Sequence, residues 1–425
     1  MFGSSLPPAA ANEGSAPRRR GRGVKHKKGF RHALREILSW KTLLVLGAIL
    51  LWAYNFQWVE RQVPFLVTAQ LKMHQILSNL DPHRKRVEKV TLVQIDDDSF
   101  YSPPLSGTLP TNRAFLGDLG LAAAKHGALV VAFDIDLGGP SGQGDGENIR
   151  KSDNEHLLDA IRKIERSGKP VVLAIGLKPY DKGDWLREPS IFRDDQLPEP
   201  GTRMGYINLP KDPRQIPLVS TAWGADGNAA ASLESFSLAI VDSYERARHV
   251  RADDQTEHDP AVAKAIADGE FVYGGFLPNE KWDLVTAKQL LRGEHQADKC
   301  FDRVVIIGST WHDDWGRGGI VDEHSSPIGP VPGLYLHGNY VEALLRDDFR
   351  PAVPEKVAAV VDLGIAVLFY VLFRSAKKRV AEVGVLLTFV FLFVSAYLMF
   401  ANVGIYFDFI APVSLVFVHL LVEAL

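Results

Sequence analysis

"ALVVAFDIDLGGPSG", residues 128–142, decides the fold. A valine-rich apolar run stops on two alternating acids, Asp134 and Asp136, and then on glycines. Such a run fits a strand covered on both faces, as in a largely parallel sheet. "VTLVQID" (90–96) has the same form and also ends on an acid, while "KPVVLAIG" (169–176) and "RVVIIGST" (303–310) run into glycine. Helical patterns lie between them: "TNRAFLGDLGLAAAKHG" (111–127) and "SDNEHLLDAIRKIERSG" (152–168) each open on a capping residue and close on glycine. This alternation predicts an α/β domain with right-handed crossovers. Further helices are expected at 67–80, 231–248 and 332–348, and mostly loop over 179–217, with a short hairpin around "MGYINLP".

With 425 residues there is room for one or two domains plus membrane segments. A net charge of -3, with 23% charged residues, excludes a nucleic-acid binder as a whole. The positive excess sits at one end, in "PRRRGRGVKHKKGFRHALR" (17–35). That arm reads either as a topology determinant touching anionic headgroups or as a docking tail for a cytoplasmic partner. The small, polar stretch before it reads as disordered. The single cysteine, Cys300, excludes an internal disulfide and a multi-cysteine zinc site.

Four segments have the apolar character of membrane spans: 40–59, flanked by tryptophans, then 357–373, 383–400 and 406–425. No cleavage pattern follows the first, which therefore reads as an uncleaved signal anchor. The basic arm 1–39 and the loop "RSAKKR" (374–379) set the topology by positive-inside bias. Both termini are then cytoplasmic, and residues 60–356 form an extracytoplasmic α/β domain. Asp362, inside the second span, reads as an interfacial or helix-pairing residue, or as part of an ion path.

In an open α/β sheet, ligands settle outside the carboxyl ends of the strands. There the chain places Asp96, Asp97, Asp98 and Ser99, then Asp134 and Asp136, then Ser309, Thr310, His312, Asp313 and Asp314. If the strands are neighbours, these converge on one acid-rich rim, whose carboxylates would raise one another's pKa, ask for a cation or face a basic ligand. Structural caps are the alternative, because acids after strands often cap a helix or close a turn. Arg113, in the first turn of a helix where the macrodipole disfavours a cation, is expected to pair with an acid such as Asp96 or Asp134. "VVAFDID" with the later "VVIIGST" also resembles the first two motifs of haloacid-dehalogenase-like phosphatases, in which the first Asp is the nucleophile. Against that stand the extra Gly308, the preceding acidic strand and the lack of a final acidic motif.

Taken together, the segments resemble the second class of CHASE domains, extracellular sensor modules of bacterial membrane receptors. The matching residues are "VQIDDDSF" at Ile95, Asp96, Asp97 and Ser99; "LPTNRAF" at Pro110 and Arg113; "VVAFDIDL"; "PRQIPL" at Arg214 and Pro217; and the closing "VVIIGST", "SSPIG" and "VPGLYLHGN" with Pro327, Gly333, His337 and Asn339. Leu109 and Gly338 depart from the family pattern. The resemblance implies an inner-membrane sensor with candidate ligand residues Asp96, Asp97, Ser99, Arg113, Asp134, Asp136, Ser309, Thr310, His337 and Asn339. His337 could instead bond a turn at the start of the last helix. Relatives usually continue into an output domain and this chain stops at Leu425, so signalling in trans to a cytoplasmic partner is expected. The expected partners are membrane lipid, an unidentified small-molecule or protein ligand and further copies of the chain. No cofactor is expected, and no nucleophile–base–orienter set can be assembled from these residues. A scaffolding membrane protein that uses the domain for assembly is the other class left open.

Overall fold

The computed structural model describes residues 64–80, 87–138 apart from 108 and 110, 147–180, 185–188, 201–224, 230–249, 272–313 and 318–350, and beyond these 353, parts of 357–368, 378–403 and 405–407. The chain divides into the units Met1–Asn55 and Phe56–Leu425, and all described residues belong to the second.

Helix α1 (Pro64–Leu80) leads into strands β1 (Val90–Ile95), β2 (Val130–Asp134), β3 (Val171–Ile175), β4 (Thr202–Tyr206), β5 (Leu284–Thr286) and β6 (Val304–Ser309). They form a six-stranded sheet in the order β5-β1-β6-β2-β3-β4, with every neighbouring pair parallel. The connecting helices are α2 (Arg113–Lys125), α3 (Glu147–Arg166), α4 (Phe236–His249), α5 (Ala287–Arg292) and α6 (Gly333–Leu345), followed by α7 (Lys378–Leu398). A four-stranded sheet (Leu177–Pro179, Trp185–Arg187, Val219–Trp223, Ala230–Glu234) and a three-stranded one (Phe349–Arg350, Val272–Gly274, Gln215–Ile216) flank this core.

The uninterrupted apolar strands supply two cores. Val93, Ile95, Val131, Phe133, Val305 and Ile307 join the leucines of α2 and α3 on one face. Their sequence neighbours Val90, Leu92, Val130, Ala132, Val304 and Ile306 join α4 and α6 on the other. Each fully buried valine or isoleucine contributes about 1.5–3 kcal/mol, which a one-faced sheet would forfeit for half of them. Capping sets the helix starts: the Asn112 side chain accepts from the Phe115 N–H ahead of α2, and Thr286 with Gln289 forms a capping box ahead of α5. Gly120 brings α2 down onto the sheet, since a Cβ there would lie 2.7 Å from Cζ of Phe133.

Two local expectations change, and one strand was not foreseen. "MGY" belongs to edge strand β4 rather than to a hairpin, and its polar, half-buried residues gave no apolar run. The helix expected from residue 231 starts at Phe236, because Ala230–Glu234 pairs antiparallel with Val219–Trp223. Strand β5 is three residues long, too short for any periodicity.

Among the described residues, one helical stretch, Val383–Val403, is long and apolar enough to cross a membrane, with mean hydropathy 2.4. It contains the third expected span. Only 17% of its most apolar window is buried, as suits a surface turned to lipid rather than a core helix. The segment expected to be disordered, the basic arm, the first expected span and nearly all of the fourth lie outside the described residues, as does Asp362, and the second expected span is described only in part.

Candidate functional site

β1, β6 and β2 are adjacent, so the three acid-bearing strand ends do meet at one rim: Ile95 pairs with Ser309, and Gly308 with Asp134. The side chains, however, do not form one site. They divide into a clamp, an anchor and a buried polar cluster.

The clamp closes the loop after β1 onto the loop after β6. Asp96 caps a one-turn helix, Asp97–Phe100, accepting from Ser99 N at 2.9 Å and Ser99 Oγ at 2.5 Å. Asp97 accepts from the His312 backbone N–H at 2.7 Å and lies 2.9 Å from His312 Nδ1. Phe100 stacks on Trp311 with ring centroids 4.1 Å apart, and the Tyr101 hydroxyl donates to the His312 carbonyl at 2.7 Å. Asp96, Asp97 and Ser99 are thus committed to structural bonds. Asp96 and Asp134 do not share a site, because the Asp96 carboxylate turns back to fill the orphan N–H of its own helix turn.

Arg113 is the anchor. Its Nη1 donates to Asn154 Oδ1 at 2.7 Å and Nη2 to the Leu137 carbonyl at 3.1 Å, and the acids that act on it are Asp136 and Asp153 rather than Asp96 or Asp134. The guanidinium reaches along α2 toward α3 and the loop after β2, and it is 1% exposed. Burial lowers its pKa to about 10, against the opposing pull of Asp136 and Asp153. Asp136 is exposed and accepts from Gly138 N at 2.7 Å. Ser309 and Thr310 are half-buried at the rim, where Thr310 N donates to the Ile95 carbonyl at 3.1 Å. Asn339 is not part of the rim. It sits deeper on α6, accepting from Leu277 N at 2.6 Å and donating to the Tyr335 carbonyl at 2.8 Å.

The polar cluster lies on the α4/α6 face. Strand alternation turns Asp134 to that side, and its side chain is 7% exposed. Its Oδ1 is 3.8 Å from Nε2 of His337, which stands on α6 with a 4% exposed side chain and ring edges against Phe236 and Tyr340. Gly308 leaves room for this approach, since a Cβ there would lie 2.9 Å from Leu334 and 3.3 Å from Asp134. Asp322 and His324, neither of them singled out by sequence, adjoin this buried pair from the solvent side, with side chains 48% and 37% exposed. His324 Nε2 is 2.6 Å from Asp322 Oδ1, and the Asp322 carbonyl accepts from Gly333 N at the start of α6. A Cβ at Gly333 would stand 2.2 Å from Asp322 Oδ2, so a larger residue there would push that carboxylate aside. Nearby, Gln94 Nε2 donates to the Tyr335 hydroxyl at 2.7 Å. The only hint in the sequence was "VDEH" (321–324), an acid–histidine pair just before "SSPIG".

Burial dominates the electrostatics. It raises the Asp134 carboxyl from 3.8 to about 8, helped by the negative Asp322. It lowers His337 from 6.5 to about 4, partly offset by Asp322. Asp322 moves the other way, below its ordinary value, first because of its bond with His324. Near neutral pH the cluster therefore holds a protonated Asp134, a neutral His337 and an ionised Asp322. His337 Nδ1 has no hydrogen-bond partner, while a backbone hydrogen bond with Ile207 works against the lowering of its pKa. A phosphatase nucleophile needs an ionised, open carboxylate, and Asp134 is neither, so the phosphatase reading lacks geometric support. Among the described residues no group of three or more His, Cys, Asp or Glu is placed to hold a metal ion.

Comparison with curated proteins and with solved structures gives no significant match. A profile of the CHASE2 domain matches residues 42–373. That range takes in the parallel sheet, the clamp and the cluster, and it is the same family that the strand-end motifs resemble. The chain belongs to the CHASE2 domain family, a family of extracellular sensor domains.

Proposed function

We propose that the chain is a membrane-anchored sensor subunit whose α/β domain stands outside the cytoplasm, binds a ligand or partner at the carboxyl rim of its sheet, and passes its state to a cytoplasmic protein. The membrane layout of this reading has spans at 40–59, 357–373, 383–400 and 406–425, with both termini inside. The observation that carries it beyond family membership is the attachment of the domain to α7. Phe400 and Tyr406, at the far end of that helix from Lys378 and Arg379, pack with Leu77 of α1 and with Tyr273. A helix of 21 residues is about 31 Å long, the thickness of a bilayer core. Basic residues at one end and the domain at the other fit the domain outside and "RSAKKR" inside.

The rim supports a sensing rather than a chemical role. Its buried carboxyl and imidazole join the end of β2 to α6, so that a bound group altering that contact would favour one position of α6 over another. Among the described residues of the rim, no nucleophile is exposed beside a base. The test is labelling of intact cells with a membrane-impermeant maleimide. Phe301 is 71% exposed and the native Cys300 is buried, so Phe301→Cys reports the side of the membrane with little background. Labelling from outside supports the reading, and labelling only after lysis overturns it. Purification in mild detergent then separates the two remaining classes: a co-purifying cytoplasmic effector fits the sensor, and self-assembled particles alone fit a scaffold.

A further inference from the structure

Arg214 stands in "PRQIPL", which the rim does not use. Its side chain is 5% exposed, yet every direction of its guanidinium is occupied. Nε and Nη2 grip Asp212 at 2.8 and 2.6 Å. Nη1 donates to the Tyr406 hydroxyl at 2.8 Å, and Nη2 reaches Gln70 Oε1 on α1 at 3.3 Å. The cation also lies 5.5 Å from the Tyr406 ring centroid and 5.7 Å from that of Tyr273. Four remote parts of the chain thus meet on one planar group: α1, the Asp212–Ile216 segment, the strand Val272–Gly274 and the turn after α7.

The surroundings fix this junction rather than leave it loose. His74 of α1 is buried, its Nε2 donating to the Gly274 carbonyl at 2.9 Å and its ring 5.1 Å from Tyr406 and 5.9 Å from Phe400. The turn after α7 is a π-helix, Met399–Val403, which carries Phe400 into the apolar contact with Leu77. On the other side the junction is tied to α6: the Tyr340 hydroxyl donates to the Pro213 carbonyl at 2.8 Å, next to Arg214. Tyr340 also meets the His337 ring edge-on, with centroids 6.2 Å apart. The three-stranded sheet adds a second tie, because Gly274 pairs with Phe349 just past α6.

We infer that Arg214 is the pin by which the outer domain holds the membrane helix Val383–Val403, so that α6 acts on the bilayer through Pro213, Arg214 and Tyr406 and not only through the segment that follows it. This rests on the sensor reading for its purpose, although the mechanical link can be tested without it. Arginine suits this place because its planar fork grips a carboxylate through two nitrogens while reaching a phenol and an amide, a geometry that a compact ammonium does not reproduce.

The test uses the full chain in lipid nanodiscs, spin-labelled at Phe301→Cys on the domain and Leu386→Cys on the exposed surface of α7, with the distance distribution measured by double electron–electron resonance. A second label pair within the domain serves as the folding control. The native junction should give one narrow distribution. Tyr406→Phe, which removes a single acceptor from a buried donor, should broaden it. Arg214→Gln should abolish the narrow peak, and Arg214→Lys should fall between them, all with the control pair unchanged. If Arg214→Gln does not fold, Tyr406→Phe still decides the matter. Unchanged distributions in the variants that keep the control distance would overturn the pin. Maleimide labelling of Phe301→Cys from the cytoplasmic side alone would overturn the sensor reading and leave this result standing.

Discussion

Replacing Asp134 by Asn should make the protein more stable, by an amount that depends on pH in one direction only. The native carboxyl titrates at about 8 in the fold and near 3.8 in the unfolded chain. Between these values the unfolded chain has lost a proton that the fold keeps, so stability from this group falls as pH rises, by about 1.4 kcal/mol per unit. At pH 7 the native protein is holding Asp134 neutral across roughly three units, which costs on the order of 4 kcal/mol as an upper bound. Asn has nearly the same shape and no charge to suppress. The variant should therefore match the native protein near pH 4, gain steadily above it, and level off beyond pH 8. His337 titrates in the fold at about 4 for reasons that do not include Asp134, so its own effect cancels in the comparison. The measurement is guanidinium unfolding of the detergent-solubilised full chain, followed by tryptophan fluorescence from pH 4.5 to 8.5. A difference that is independent of pH, or that shrinks as pH rises, would refute the buried, protonated carboxyl.

Further substitutions probe other parts of the domain. Glu342 is buried on α6 and accepts from the backbone N–H groups of Glu88, Lys89 and Val90 at 2.8, 3.1 and 3.1 Å. Glu342→Ala strands three donors and should cost about 3 kcal/mol or more, with Glu342→Gln losing less in the same unfolding assay. Gly205→Ala should prevent accumulation of folded protein, because its Cβ would lie 2.5 Å from Cα of Phe236 and backbone cannot yield; size-exclusion profiles would show this. His312→Ala opens a half-exposed link to Asp97 and should lower stability by about 1 kcal/mol or less, a small fall in the denaturation midpoint.

The layering of the domain was legible because continuous apolar strands can only be satisfied by cover on both faces, and the motifs gave the family. The convergence of strand ends also followed from the α/β grammar. What escaped was side-chain direction. Asp96 and Asp134 follow strands alike, yet one turns to its own helix cap and the other into the α6 face, a difference set by strand alternation and the register with β6. Arg113 was expected near an acid such as Asp96 or Asp134, whereas the geometry of α2 points it at Asn154 and a carbonyl, with Asp136 and Asp153 the acids that act on it. Asp322, His324 and the partners of Arg214 come together only through long-range contacts that no local spacing reports.

The strand order has a consequence for how the molecule is made. β1 is synthesised first among the strands, yet its two neighbours in the sheet, β5 and β6, are the last to appear. At about 5–20 residues per second, its hydrogen-bonding edges wait on the order of ten seconds or more for a partner. Throughout that interval "VTLVQI" is an apolar ribbon open on both sides, the kind of segment that pairs with other chains. Nascent protein should thus depend on a holding chaperone until Ser309 has emerged, and truncations ending before Val304 should aggregate rather than form a smaller domain.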